Sequence, residues 1–127
     1  MNSNQLHTIN PKNNIKISSW DIPSKNKIDS IIKSTSDAQE IWEKTELNFR
    51  ISLIKKLSSI LKDQNKELSN LMADEMGKPI SQGILEIDKC IWLSNYYSQN
   101  AINFLSNNNI ETEYFKSYVS YKPIGLV

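Results

Sequence analysis

Apolar positions along this chain fall into stretches of distinct period, and the period changes mark the elements. In "HTINPKNNIKIS" an Asn-Pro pair and further turn residues precede the alternation Ile15, Ile17. That order predicts two short extended pieces joined by a turn. After "WDIP" the spacing becomes helical: Ile28, Ile31, Ile32, Thr35, Ala38, Ile41 and Trp42 recur every three or four residues. They form one apolar stripe on a helix over residues 24–44, with Ser24 as its cap. Thr45 is the next N-cap candidate, and Leu47, Ile51, Ile54, Leu57 and Leu61 mark one face behind it. Asp63 either interrupts or recaps this second helix, and Leu68, Leu71, Met72 and Met76 continue its pattern. In "EMGKPISQ", Gly77 suits a left-handed helix end, and Pro79 can open the following helix but not continue the last one. The third helix is expected over residues 79–106, with Ile80, Ile84, Ile87, Ile91, Ser94, Ser98, Ile102 and Leu105 on one face. Trp92, Tyr96, Tyr97 and Phe104 lie elsewhere around it, so it should be covered on more than one side. "SNNNIETE" reads as a polar linker, and residues 117–121 as a strand. The fold class expected is mainly α with short β segments: three helices, short N-terminal strands and a terminal strand or hairpin.

Composition narrows what such a chain does. At 127 residues, 39% hydrophobic and 23% charged, it fits one folded unit rather than a disordered segment. The formal net charge is +1, no basic run is dense enough to track phosphates, and Arg50 is the only arginine, so nucleic acid is not expected as a partner. The first thirty residues lack the apolar core of a signal peptide, and no stretch approaches membrane-spanning length. One cysteine, without Cys or His at metal spacing, makes a cytoplasmic location the expectation.

Candidate chemistry is sparse. A catalytic thiol needs a helix N-terminus, a cation or a histidine to favour its thiolate. Cys90 instead falls mid-helix beside Ile87 and Ile91, with Glu86 four residues back, and the only histidine, His7, falls in a mobile N-terminal tail. Cys90 is therefore read as a packed core thiol. "GKP" lacks the spaced glycines of a phosphate loop. Asp74, Glu75, Glu86 and Asp88 are read as a solvated face and not a metal cluster, and Trp92, Tyr96 and Tyr97 as core rather than pocket lining. No catalytic, cofactor-binding or metal-binding residue is assigned.

The ordered segments resemble a known family. "INPKNNIKI" is similar to the "NPATGE"-type opening of aldehyde dehydrogenases, and "SDAQEIWEKTELNFRISLIKKLSSIL" to their Ala-Gln-x-x-Trp segment with the Arg and apolar helix after it. "LMADEMGKPISQGILEIDKC" resembles the family's "EMGKP" helix break and "E-I-x-K-C" helix start. "YYSQNA" and "SYVSYKPIGLV" are similar to the stretches that come next in the family. The resemblance runs in order from Ile9 to Val127 and is nearest to bacterial-type succinate-semialdehyde dehydrogenases, which oxidise an aldehyde to an acid with NADP or NAD.

The resemblance implies that residues 1–127 form the N-terminal part of the cofactor-binding domain of an α/β aldehyde dehydrogenase fold. It also implies that residues 112–124 belong to a β extension used in subunit assembly. In the family, the oxyanion-stabilising Asn, the dinucleotide-contacting strands, the general-base Glu and the nucleophilic Cys lie beyond the position of Val127, and Cys90 matches a different cysteine. The expectation is an N-terminal piece that binds no cofactor itself and is inactive alone, supplying scaffold and, through its third helix, part of the substrate-entry wall. Its partners would be the rest of the aldehyde dehydrogenase chain or like subunits. Three readings stay open: a truncated enzyme, a split-enzyme subunit completed by a separate chain, and a free-standing helical interaction module. The three helices and the terminal strand carry more apolar surface than they can bury alone, so self-association is expected.

Overall fold

In the computed structural model, which describes residues 5–127, the order is β1 (Gln5–Ile9), β2 (Lys16–Asp21), α1 (Lys25–Trp42), α2 (Leu47–Asp63), α3 (Asn65–Met76), α4 (Ile80–Leu105), β3 (Asn108–Asn109) and β4 (Tyr118–Val119). The first four positions of the N-terminal tail, and of the unit expected over residues 1–127, lie outside the described residues. The mainly helical class with short strands holds; the helix count does not.

Four helices stand where three were expected, because the backbone at Gln64 (φ −98°, ψ 8°) leaves the helical basin and divides α2 from α3. Gln64 still donates to the Ile60 carbonyl at 2.9 Å, and its own carbonyl accepts from Leu68 at 3.0 Å. The break is thus a one-residue joint, flanked by Asp63 and Asn65, both weak helix formers. Ser24 caps α1 as expected, its Oγ accepting from the Lys27 N–H at 3.3 Å. Thr45 does not cap α2. Its hydroxyl turns back to donate to the Trp42 carbonyl at 2.6 Å, and Glu46 takes the cap position without a side-chain bond.

β1 and β2 form an antiparallel hairpin whose register shifts between Thr8 and Ile9. Asparagines close its turn: Asn10 Oδ1 accepts from the Lys12 N–H and Asn13 Oδ1 from the Ile15 N–H, each at 2.9 Å, while Asn14 takes φ +59°. His7, expected in a mobile tail, lies in β1 with its Nδ1 3.0 Å from Ser19 Oγ. The turn reaches α3, where Asn10 Nδ2 donates to Asp74 Oδ1 at 3.3 Å. Gly77 ends α3 at φ +69°, as its sequence position predicts, and a Cβ there would stand 3.2 Å from Pro11 Cγ.

The core lies where α2 and α3 pack on α4. Only Ile51 and Ile87 among the described hydrophobic residues are buried in it, both at 8% exposure. The closest approach is made by small residues. Ser69 is fully buried, and a Cβ on Gly83 would lie 3.2 Å from the Ser69 Cα. Ser69 Oγ donates to the Asn65 carbonyl at 2.7 Å, and Asn65 Nδ2 donates to Asp88 Oδ1 at 2.8 Å, tying α3 to α4. The α1 stripe is present but uncovered, since no residue of α1 is buried. The region read as a polar linker supplies β3, which pairs with β4, so the terminal strand belongs to a two-stranded ribbon.

Candidate functional site

Cys90 is exposed, not packed. It lies on α4, and α2 and α3 cover only part of that helix, along the line of Gly83, Ile87 and Ser98. Ile91 is one residue away and points in a different direction, and Ile87, a turn back, is buried at the edge of the covered face while Cys90 falls outside it. Trp92, Tyr96 and Tyr97 are likewise exposed rather than core. They pack on one another along α4: Trp92 stacks on Tyr96 at 5.6 Å between centroids, Tyr97 meets Tyr96 edge-on at 5.6 Å, and Phe104 lies 6.0 Å from Tyr96.

Three of the four carboxylates have separate partners. Asp74 accepts from Asn10, Glu86 pairs with Lys78, and Asp88 accepts from Asn65. Among the described residues, no three His, Cys, Asp or Glu side chains gather where they could hold a metal ion. A dinucleotide pyrophosphate is ordinarily met by a glycine-rich turn opening a helix. Here Gly77 closes α3, Gly83 faces Ser69, and the Pro79 carbonyl already takes the Gln82 and Gly83 N–H groups at the start of α4. Neither glycine opens a helix as part of such a turn.

What the helices do assemble is a groove of about 270 Å³ between the end of α1, the start of α2 and the end of α4. Trp42, Leu47, Ile54, Tyr97, Ala101 and Leu105 line it, and Arg50 stands in its wall. Arg50 is half-buried, and its Nε is buried without a hydrogen-bond partner among the described residues. The guanidinium also borders a second opening beside Glu43, Tyr121 and Lys122. The sequence marks Arg50 as a lone arginine and as the Arg after the Ala-Gln-x-x-Trp segment, without assigning it a site. The available signal was its position three residues after Leu47 and four before Ile54, which puts a charge on the apolar face.

Comparison with known proteins fits this geometry. The chain matches the Aldehyde dehydrogenase family model over residues 1–127. It is 25% identical over 122 residues to a probable succinate-semialdehyde dehydrogenase [NADP(+)] of Synechocystis sp., covering 96% of this chain and 27% of that protein. It is 22% identical to an Escherichia coli succinate semialdehyde dehydrogenase [NAD(P)+], covering 94% of this chain and 26% of that one. In fold it is similar to succinic semialdehyde dehydrogenase from Streptococcus pyogenes, solved with NADP+ (TM-score 0.82, 23% identity, 88% of this chain, 25% of that one). It is also similar to betaine aldehyde dehydrogenase from Staphylococcus aureus (TM-score 0.84, 19% identity, 96% and 25%). The chain therefore spans about a quarter of the length of the relatives it matches. Family model, element order and fold agree along the chain, and it belongs to the aldehyde dehydrogenase family.

Proposed function

We propose that this chain serves as the N-terminal helical section of an NAD(P)-dependent aldehyde dehydrogenase that oxidises succinic semialdehyde or a similar short aldehyde to its acid. The observation that carries this reading is the family match over the whole chain, joined to a fold that aligns with one quarter of solved relatives. The reacting thiolate, the general base and the dinucleotide site are supplied by polypeptide other than these residues. In support, the sole thiol and the sole histidine lie on different elements: Cys90 is on α4, whereas His7 is on β1 beside Ser19. The section's own task is to hold the outer helices in register and to present the groove around Arg50.

The test is a chimera in which this chain replaces the matched quarter of the Synechocystis enzyme. The chimera should reduce NADP in the presence of succinic semialdehyde, and this chain alone should give no absorbance rise from reduced cofactor. A chimera that folds and binds NADP yet turns over no aldehyde would overturn the assignment, as would cofactor reduction that co-purifies with this chain alone.

A further inference from the structure

Resting on the aldehyde dehydrogenase reading, we propose that the Arg50 groove is the seat of an acidic–apolar segment of the enzyme's remaining polypeptide, whose Asp or Glu carboxylate meets the guanidinium. Three observations converge on it. Arg50 keeps a buried donor unsatisfied, and a buried guanidinium N–H without an acceptor is strongly disfavoured. Its own surroundings do not supply that acceptor: the only ion pair among the described residues is Lys78–Glu86, and neither Glu43 nor Glu46 bonds to it. A carboxylate fits because its two oxygens match the guanidinium fork. The walls from Trp42, Leu47, Ile54 and Leu105 call for apolar side chains on either side of that carboxylate.

The third observation identifies where the segment comes from. The chain exposes 10739 Å². A compact monomer of its 14.6 kDa would expose only about 6,900 Å². The difference, roughly 3,800 Å² on this chain alone, is several times the roughly 800 Å² that each partner buries in a standard protein–protein contact. The relatives are about four times as long as the segment they share with this chain, so they carry the polypeptide able to cover such an area. The groove lies where α1, α2 and α4 meet, so one inserted segment would touch three helices at once, and Arg50 also borders the adjoining opening beside Tyr121 and Lys122.

Overlapping fluorescent peptides covering the part of the Synechocystis enzyme outside the matched segment test this by anisotropy against the full chain. One window should bind saturably, and it should carry Asp or Glu between apolar residues. Changing that carboxylate to its amide, or Arg50→Gln in the chain, should weaken binding on the order of thirtyfold, as for a desolvated charge pair that loses one member. Arg50→Lys should restore part of the loss. Circular dichroism checks that the Arg50 variants fold; if they do not, the amide peptide on the unaltered chain still decides. The proposal is overturned if no window binds saturably, or if binding ignores the carboxylate. It is also overturned if the chain forms a dimer that Arg50→Gln abolishes, because a second copy would then fill the groove. An active chimera with no binding peptide would remove this proposal alone, and a binding peptide with an inert chimera would remove only the functional assignment.

Discussion

At the scale of single residues, the fold is decided by small side chains where helices touch. Gly83 and Ser69 let α3 and α4 approach so closely that an added Cβ would lie 3.2 Å from backbone. Gly83→Val should therefore force the helices apart, costing about 1–3 kcal/mol by overpacking and outweighing the roughly 1 kcal/mol penalty that glycine carries in a helix. Urea unfolding followed by circular dichroism measures the loss, and an unchanged midpoint would show that the contact yields freely. Cys90 gives the opposite expectation. Being exposed, it should react promptly with a thiol reagent in native buffer and gain little speed in denaturant. Cys90→Ser should shift stability by no more than about 0.5 kcal/mol, as surface changes do. Slow labelling that denaturant accelerates would return it to the core. Gly77 and Ser24 were legible from sequence because their roles are local, one a left-handed helix end and the other a cap. Cys90 and the aromatic row were not, since burial depends on which helix covers which face, and no residue pattern within α4 states that.

The elements show the same division between local and non-local causes. The start of α1, the hairpin and the break at Pro79 follow from chemistry within a few residues and appear where periodicity and turn residues put them, whereas α2 opens behind Glu46 rather than Thr45. The joint at Gln64 could be read only as a choice between interruption and recapping, because the apolar pattern continues on both sides of it. The β3–β4 pairing joins Asn108 to Val119 and Asn109 to Tyr118 across a loop, and the polar character of "SNNNIETE" concealed it. The groove is a further step removed, since it takes residues from three helices. Contact between elements is best tested where the hairpin turn rests on the end of α3. Gly77→Ala places a Cβ in the left-handed region, at about 1–2 kcal/mol, and also against Pro11. Asn tolerates that conformation, so Gly77→Asn should recover much of the backbone cost while keeping the contact with Pro11. Thermal melts of the two variants separate the contributions. Equal losses would place the whole effect in the Pro11 contact rather than in the helix end.

On the scale of the whole molecule, the distribution of apolar surface is the dominant physical fact. Ile28, Ile31, Ile32, Ile41 and Trp42 on α1, and Trp92, Leu93, Tyr96, Tyr97 and Phe104 on α4, are all exposed. Contiguous apolar patches beyond a few hundred Å² are rare on free-standing monomers, and each such patch forgoes several kcal/mol at ~25 cal/mol per Å². Among the described residues no helix is long and apolar enough to cross a membrane, so lipid is not received by a spanning helix there. The isolated chain should then associate with itself, and the source of the association can be located. The short β4 edge is one candidate, because unpaired strands recruit partners, but β4 has only two residues and is already paired on one side. The α1 stripe offers far more apolar area. Moreover, the terminal residues Gly125, Leu126 and Val127 flank Thr35, Ala38 and Trp42, so removing them would bare that helix further. Deleting Tyr118–Val127 should thus leave association undiminished, whereas Ile28→Lys, Ile32→Lys and Ile41→Glu together should suppress it with the helix signal kept. Light scattering after size-exclusion chromatography, paired with circular dichroism, measures both. Monomer formation on deletion, with the triple variant still associating, would move the sticky surface from α1 to the terminal ribbon.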